Sequence, residues 1–355
     1  MRILHLGTDS YGGHGGIALY NRDLIEAMAT YPGCDEIVAV PRLVPQKLEP
    51  MPANVTFVTA AAKSSVAYLR TLGRVLRRGP FDLVVCAHVN LLPFARMATV
   101  HPLLITYGIE AWRPTRTVSN RLLHSCRAIG AISEITGNRL RTWSRYTGPV
   151  PLLPNAIHAE QYGIRPRPVA LVQKLGIEGK RVLLTVGRLV AAERYKGFDE
   201  IIELLPSLPD DVVYVIAGGG DDAGRLRAKA ARLGVAQRVV FTGRFEESQK
   251  PDLYAMADVY VMPSHGEGFG FVFLEALASG VPVIASKHDG GREAVRNGEL
   301  GLLVDPSNPA EIRAAIMELL EKPERSIPAG LDHFSFRNFE TRVHEIVSSI
   351  LHATP

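Results

Sequence analysis

Two carboxylates, Glu267 and Glu275, stand with seven residues between them in Pro263-Ser-His-Gly-Glu-Gly-Phe-Gly-Phe-Val-Phe-Leu-Glu-Ala-Leu-Ala-Ser-Gly280. The apolar run Val259 to Met262 reads as a buried strand, the stretch with Gly266, Gly268 and Gly270 as a loop, and Phe271 to Ser279 as an apolar helix. Such a loop sends backbone N–H groups and the positive end of a helix to one point, which suits a phosphate or the hydroxyls of a sugar. Glu267 lies in the loop itself. Glu275 sits mid-helix between Leu274 and Ala276, in a segment apolar enough to be buried, so it needs a partner. A Glu salt-bridged to a neighbouring Arg is the plain structural alternative.

Elements of two sheets must hold that loop in place. A chain of 355 residues is long for one core and sufficient for two domains. With 46% hydrophobic and 21% charged residues it is neither disordered nor a coiled coil. Apolar runs at Arg2 to Leu6, Glu36 to Val40, Val55 to Val58, Leu83 to Cys86, Leu103 to Thr106 and Ala128 to Ile132 alternate with helix-like segments such as Ser64 to Arg77 and Glu134 to Ser144. The rhythm restarts at Arg181 to Val186 and continues through Val212 to Ala217, Val239 to Thr242, Val259 to Met262 and Val281 to Ala285. Strands alternating with helices predict α/β domains with parallel sheets covered on both faces. Ligands of such sheets bind beyond the carboxyl ends of the strands.

That rule selects His88, Tyr107 and Glu110 as acceptor-side candidates in the first half, each with an ordinary structural role as its rival. The first strand leads into Gly12-Gly-His-Gly-Gly16, a Rossmann-like opening without a clean GxGxxG. The other glycine turn, Ala217-Gly-Gly-Gly-Asp-Asp-Ala-Gly224, puts Asp221 and Asp222 where a pyrophosphate would lie, so it reads as a turn capping a helix. Cys34, Cys86 and Cys126 are odd in number, far apart and without a CxxC, which points to a reducing compartment and no structural zinc. The N-terminus has no long apolar region of the signal-peptide kind and no apolar run reaches 18 residues, so the expected location is the cytoplasm.

Charge is uneven. Residues 1–165 carry 18 Lys and Arg against 10 Asp and Glu, and the remainder 22 against 26. The basic clusters are Arg70, Arg74, Arg77 and Arg78, then Arg113, Arg116, Arg121 and Arg127, then Arg139, Arg141 and Arg145. A basic face of this kind adheres to anionic lipid, giving peripheral contact with the inner face of the cell membrane, or is simply a solvated helix surface. Nucleic acid is not the expected partner.

The pair Glu267 and Glu275 in PSHGEGFGFVFLEALASGVPVIAS resembles the E-x7-E signature of the retaining GT-B glycosyltransferases of family 4, the glycosyl transferases group 1. Leu183-Leu-Thr-Val-Gly-Arg-Leu189 and Gly301-Leu-Leu-Val-Asp-Pro306 are similar to that family too, and the Glu-Arg-Tyr-Lys-Gly form of residues 193–197 resembles bacterial exopolysaccharide mannosyltransferases. The resemblance implies two Rossmann-like domains whose parallel sheets face each other across a cleft. The acceptor-side domain would be 1–165, joined by a C-terminal helix within 335–355 that crosses back to it, and the nucleotide-sugar domain 166–334. It implies transfer of a hexose, mannose from GDP-mannose foremost, to a lipid-linked or other glycan acceptor, with no cofactor and no metal.

The resemblance also assigns residues. Arg188 and Lys196 match the cations that grip the donor diphosphate, here with seven residues between them, two more than in commoner members. Gly15 or Gly16 would place an N–H on that diphosphate. Glu267, with Gly268 and the N–H groups of Phe269 and Gly270, would hold the transferred sugar, and Glu275 the ribose hydroxyls. Glu246 matches the position that reads the base, where a carboxylate suits guanine and favours GDP over UDP; an ordinary charge at a helix start is the alternative. Tyr107 stands where the family often has His, which leaves open the first-domain side chain that meets the sugar. A UDP-sugar transferase, an epimerase of the same fold, an NAD-dependent oxidoreductase and a binding scaffold remain as other readings of the sequence.

Overall fold

The computed structural model describes residues 1–13, 15–43, 48–114, 117–321 and 325–352. His14 and Arg116, both named above, lie outside them. The chain divides into two compact units, Met1–Ala156 together with the final helix, and Ile157–Ser335.

In the first unit six parallel strands form one sheet: β1 Arg2–Gly7, β2 Glu36–Pro41, β3 Val55–Phe57, β4 Leu83–Ala87, β5 Leu103–Thr106 and β6 Ala128–Ala131. Their order is β3-β2-β1-β4-β5-β6. All residues of β4, β5 and β6 are buried, as the unbroken apolar runs require of strands covered on both faces. Leu4, Leu6, Val38, Val84, Leu104 and Ile129 join Tyr68, Leu72 and Leu140 in its core.

The final helix, Phe336–His352, buries Phe339, Val343, Ile346 and Val347, which at intervals of three and four residues form one apolar face. It packs on the helix Gly16–Ala29, where the Phe339 ring meets Tyr20 edge-on at 5.5 Å. Beside them Thr30 donates to Glu340 at 2.6 Å, and His344 Nε2 lies 2.9 Å from the Ala27 carbonyl.

The second unit repeats the plan with β7 Arg181–Val186, β8 Val212–Ala217, β9 Val239–Gly243, β10 Val259–Met262, β11 Val283–Ser286 and β12 Leu302–Val304. Their order, β12-β11-β10-β7-β8-β9, is the first unit's order counted from its own first strand. Both sheets follow the doubly wound dinucleotide-fold arrangement. Residues 157–165, which the sequence places in the first domain, belong with the second unit: the Ile157 N–H donates to Phe334 O at 2.7 Å and the Gly163 N–H to Ala278 O at 3.0 Å. Among the described residues no helix is long and apolar enough to cross a membrane.

Candidate functional site

At the carboxyl ends of the second unit's strands, loops press against one another backbone to backbone. After β7, the Gly187 N–H donates to Ala217 O at 2.9 Å, Leu189 N–H to Gly219 O at 3.1 Å and Asp222 N–H to Leu189 O at 2.9 Å. A Cβ at Gly218 would lie 1.9 Å from Gly187 O, and one at Gly220 would lie 2.0 Å from Leu189 O. The glycines after β8 therefore serve to let the Arg188 loop approach. This corrects the capping expectation for 217–224. Asp222 does occupy the N-cap position of the helix Ala223–Arg232, but its side chain makes no cap bond. Its carboxylate instead accepts from Arg194 at 3.0 Å and Arg225 at 2.6 Å, while Asp221 accepts the Ala191 N–H at 3.1 Å.

Lys196 is positioned by a second such contact. Gly197 has φ +83°, and a Cβ there would sit 2.7 Å from Pro263 O. The His265 N–H donates to Tyr195 O at 2.7 Å, so the loop after β10 lies along the loop after β7. Lys196 Nζ thereby reaches Glu267 Oε2 at 3.0 Å. Glu193 joins the pair, accepting from the Arg188 guanidinium with one oxygen and approaching Lys196 at 3.8 Å with the other. Burial works against the charge on Lys196, but Glu267, Tyr195 and Glu193 together overcome it and the ammonium pKa is raised. The Arg188 side chain is 75% exposed and that of Lys196 only 14%, so one cation projects and the other is enclosed.

Asp289, beyond the end of β11, holds the Glu267 loop from behind. Its Oδ2 accepts from Ser264 Oγ at 2.6 Å and from the Glu267 N–H at 2.7 Å, and its Oδ1 accepts the Gly291 N–H at 2.9 Å. Neighbouring Gly290 donates to Glu267 O at 2.8 Å, and a Cβ on it would strike Gly268 O at 2.0 Å. Burial pushes the Asp289 carboxyl up to about 6 against these hydrogen bonds, with the Glu267 charge adding to the rise. Gly270, at φ +94°, opens the helix Phe271–Ala278. The Gly268 N–H turns back to Glu267 Oε1 at 3.1 Å, whereas among the described residues the N–H groups of Phe269 and Gly270 have no partner.

The partner that buried Glu275 demands is a lysine and a phenol rather than an arginine. Lys250 Nζ donates to Oε1 at 2.8 Å and Tyr254 Oη to Oε2 at 2.6 Å, with Glu275 only 2% exposed. Burial opposes the Lys250 charge, yet Glu275 and Glu247 raise its pKa. Tyr162 also faces this carboxylate, and burial together with the Glu275 charge raises the Tyr162 pKa. Glu246 is exposed and forms a capping box with Gln249, whose Oε1 accepts the Glu246 N–H at 2.9 Å. Its geometry is that of the helix-start alternative.

In the first unit the candidates meet within the fold. Gly15, at φ +90°, stands before the helix Gly16–Ala29 with nothing within 4 Å of a Cβ, so backbone shape rather than space requires glycine. The Tyr107 hydroxyl donates to Asn21 Oδ1 at 2.6 Å, and Asn21 Nδ2 donates to Asp9 O at 2.8 Å, so the phenol is engaged inside the unit. Glu110 accepts the Tyr107 N–H across the turn at Gly108, and burial raises its pKa. His88 Nδ1 accepts the Asn90 N–H at 3.1 Å, and burial lowers its pKa.

Of the residues singled out in the second half, the structure brings Arg188, Lys196 and Glu267 together through Glu193 and sets Glu275 in its own buried pair. Sequence reasoning missed four participants. Asp289 stands beyond a strand's carboxyl end, and the rule that selected His88 selects it equally. Lys250 and Tyr254, four residues apart on the helix Lys250–Ala255, carried an i,i+4 signal. Glu193 lies inside a quoted segment, but no local pattern shows where its side chain turns.

Two doubly wound units, one with cations, carboxylates and amides gathered at its strand ends, define a two-domain α/β class of protein. A family model described as glycosyl transferases group 1 matches residues 170–327. Over 279 residues the chain is 31% identical to the GDP-mannose-dependent alpha-(1-6)-phosphatidylinositol monomannoside mannosyltransferase of Mycolicibacterium smegmatis, covering 72% of each chain. It is 40% identical over 152 residues to a D-inositol 3-phosphate glycosyltransferase of Acidothermus cellulolyticus, 39% of this chain and 33% of that one. Among solved structures, Anabaena HepE in complex with UDP superposes with a TM-score of 0.76 at 21% identity, over 98% of this chain and 100% of that one. Sucrose-phosphate synthase from Thermosynechococcus elongatus gives 0.71 at 20% identity, over 99% and 96%. The chain belongs to the glycosyl transferases group 1 family, and its fold is GT-B.

Proposed function

We propose that this glycosyltransferase is a retaining, metal-independent enzyme that passes mannose from GDP-mannose to a lipid-linked or other glycan acceptor. The observation that carries the reading is the Arg188, Glu193, Lys196 and Glu267 cluster on loops braced by Gly218, Gly220, Gly290 and Asp289. Fixed cations on fixed loops suit a leaving diphosphate, because they need no reorganisation as its charge develops. Each charge-assisted hydrogen bond contributes roughly 1.5 to 3 kcal/mol, about ten- to a hundredfold in rate if it strengthens as the glycosidic bond breaks. Glu267 and the amides of Phe269 and Gly270 would hold the sugar hydroxyls, Glu275 the ribose, and Gly15 or Gly16 would add an N–H to the diphosphate. Glu246 would leave its capping bond to read guanine.

The mannosyl donor draws support from the relative at 31% identity, which is GDP-mannose-dependent. A UDP-sugar donor is the second reading, favoured by the exposed capping position of Glu246, which leaves the base without a committed reader. The proposed location is cytoplasmic, with Arg70, Arg74, Arg77 and Arg78 giving peripheral contact with anionic lipid. The test is a thermal-shift screen of GDP-mannose, UDP-glucose and ADP-glucose, followed by mass analysis of lipid-linked acceptors with the donor that stabilises the protein, with and without EDTA. Stabilisation by GDP-mannose and EDTA-resistant transfer are expected. A shift with UDP sugars alone replaces the donor, loss of transfer in EDTA that magnesium restores removes metal independence, and no shift with any donor removes the reading.

A further inference from the structure

Glu193 is neither of the two family glutamates, yet its carboxylate lies between the two cations. One oxygen accepts from the Arg188 guanidinium, while Oε2 is buried, lies 3.8 Å from Lys196 Nζ and has no hydrogen-bond partner among the described residues. The side chain is 15% exposed, so water does little to screen it. Its backbone breaks the helical turn Ala191–Lys196, with φ −114° and ψ 29° at Glu193 itself, and that break aims the side chain inward. The adjacent Arg194 turns the other way, to Asp222 at 3.0 Å, and so does not neutralise it. Lys196 has a closer partner in Glu267 at 3.0 Å. Glu193 is thus bound on one side and loosely held on the other.

We propose that Glu193 is a built-in rival of the donor diphosphate for Arg188 and Lys196, and that it sets how tightly the nucleoside diphosphate is held and how fast it leaves after transfer. The proposal rests on the reading of those two cations as the diphosphate grip. Phosphate oxygens reaching Arg188 find one of its N–H groups already held by Glu193 and that carboxylate standing beside them as a like charge. Binding is weaker for it, and release of the product is faster.

The experiment is calorimetric titration of GDP and UDP into the full chain carrying Glu193→Gln, with steady-state kinetics on the donor that works. The expected result is roughly tenfold tighter binding of the diphosphate, the size expected when one nearby like charge is neutralised. Donor KM should fall, with kcat falling too as product release slows. A residue that only props Arg188 in place would do the reverse, so unchanged or weaker binding by Glu193→Gln overturns the proposal. Should that variant not accumulate as folded protein, Glu193→Ser removes the same carboxylate and is read in the same way. Arg188→Ala with Lys196→Ala is titrated in parallel: if it abolishes binding while Glu193→Gln changes nothing, only the rivalry fails, and if it binds normally the diphosphate reading fails with it.

Discussion

The two units share one strand order and differ in what they put at the carboxyl ends of their strands. In the second, charged side chains meet there: Arg188, Glu193, Lys196 and Glu267 in one chain of ion pairs, with Asp289 beneath. In the first, the same region holds a mostly neutral web in which Tyr107 donates to Asn21 and Asn21 to Asp9, with the Glu110 carboxylate on the Tyr107 N–H, while arginines such as Arg70, Arg74, Arg77 and Arg78 are exposed on or just past the helix Ser65–Leu76. The loops differ in the same sense. Gly218, Gly220 and Gly290 are demanded by backbone approach within about 2 Å of a missing Cβ, but Gly15 is demanded only by its dihedral angles. A doubly wound sheet supplies positions, and the side chains and glycine contacts at its rim decide which copy performs chemistry.

Removing the cations of the second unit should produce the largest effect. Arg188→Ala with Lys196→Ala is expected to lower kcat/KM by about 100- to 10,000-fold, two charge-assisted contacts of roughly 1.5 to 3 kcal/mol each, measured at limiting donor. Near wild-type transfer would place the chemistry elsewhere and dissolve the contrast. Next is Glu275→Ala, which strands Lys250 beside only a partly exposed Glu247 and should cost about 3 to 5 kcal/mol in urea unfolding. A loss under about 1 kcal/mol would mean that Glu275 is held for ligand rather than for fold.

Asp289 gives a pH signature of similar origin. Its carboxyl keeps its proton to about pH 6 in the folded chain against 3.8 for an ordinary aspartate, so its contribution is full below about pH 4 and is lost as pH rises through 6. The stability of wild type minus that of Asp289→Asn should fall by about 2 to 3 kcal/mol between pH 4 and pH 7, read by denaturant unfolding at each pH. A flat difference removes the role of burial at this carboxyl.

Smaller effects should follow in the first unit. Tyr107→Phe leaves Asn21 Oδ1 without its donor and should cost about 1 to 3 kcal/mol of stability with no change in nucleotide affinity. A weakened nucleotide would show that the neutral web takes part after all. Replacing Arg70, Arg74, Arg77 and Arg78 by Gln should reduce partitioning to anionic vesicles at low salt, up to about 1 kcal/mol per residue, and leave neutral vesicles unaffected.

The strands and the family glutamates were legible because their signals are local. Apolar runs of four to six residues specify buried parallel strands wherever they fall, and Glu267 and Glu275 announce themselves by position in a glycine loop and an apolar helix. Glu193 was not legible, because its side chain is set by a turn that breaks its helical path, and Asp289 stands where the strand-end rule points although its contact from β11 back to the loop after β10 arises only by loop approach. Asp222 illustrates the opposite error. Its place before a helix implies a cap, but Arg194 from the loop after β7 and Arg225 from the first turn of that same helix take the carboxylate instead. The boundary, expected at 165, falls at 157 for a similar reason, since hydrogen bonds from Ile157 and Gly163 to distant carbonyls decide where that segment belongs.

The helix Phe336–His352 has a bearing on how the molecule is made. It seats Phe339 against Tyr20, so the unit whose strands are translated first cannot complete its hydrophobic interior until the chain has passed through the whole second unit and added this helix. The second unit, contiguous from Ile157 to Ser335, has all its strands in hand earlier. During synthesis the order of maturation therefore runs against the order of translation: the later unit closes while the earlier one still waits for its final piece.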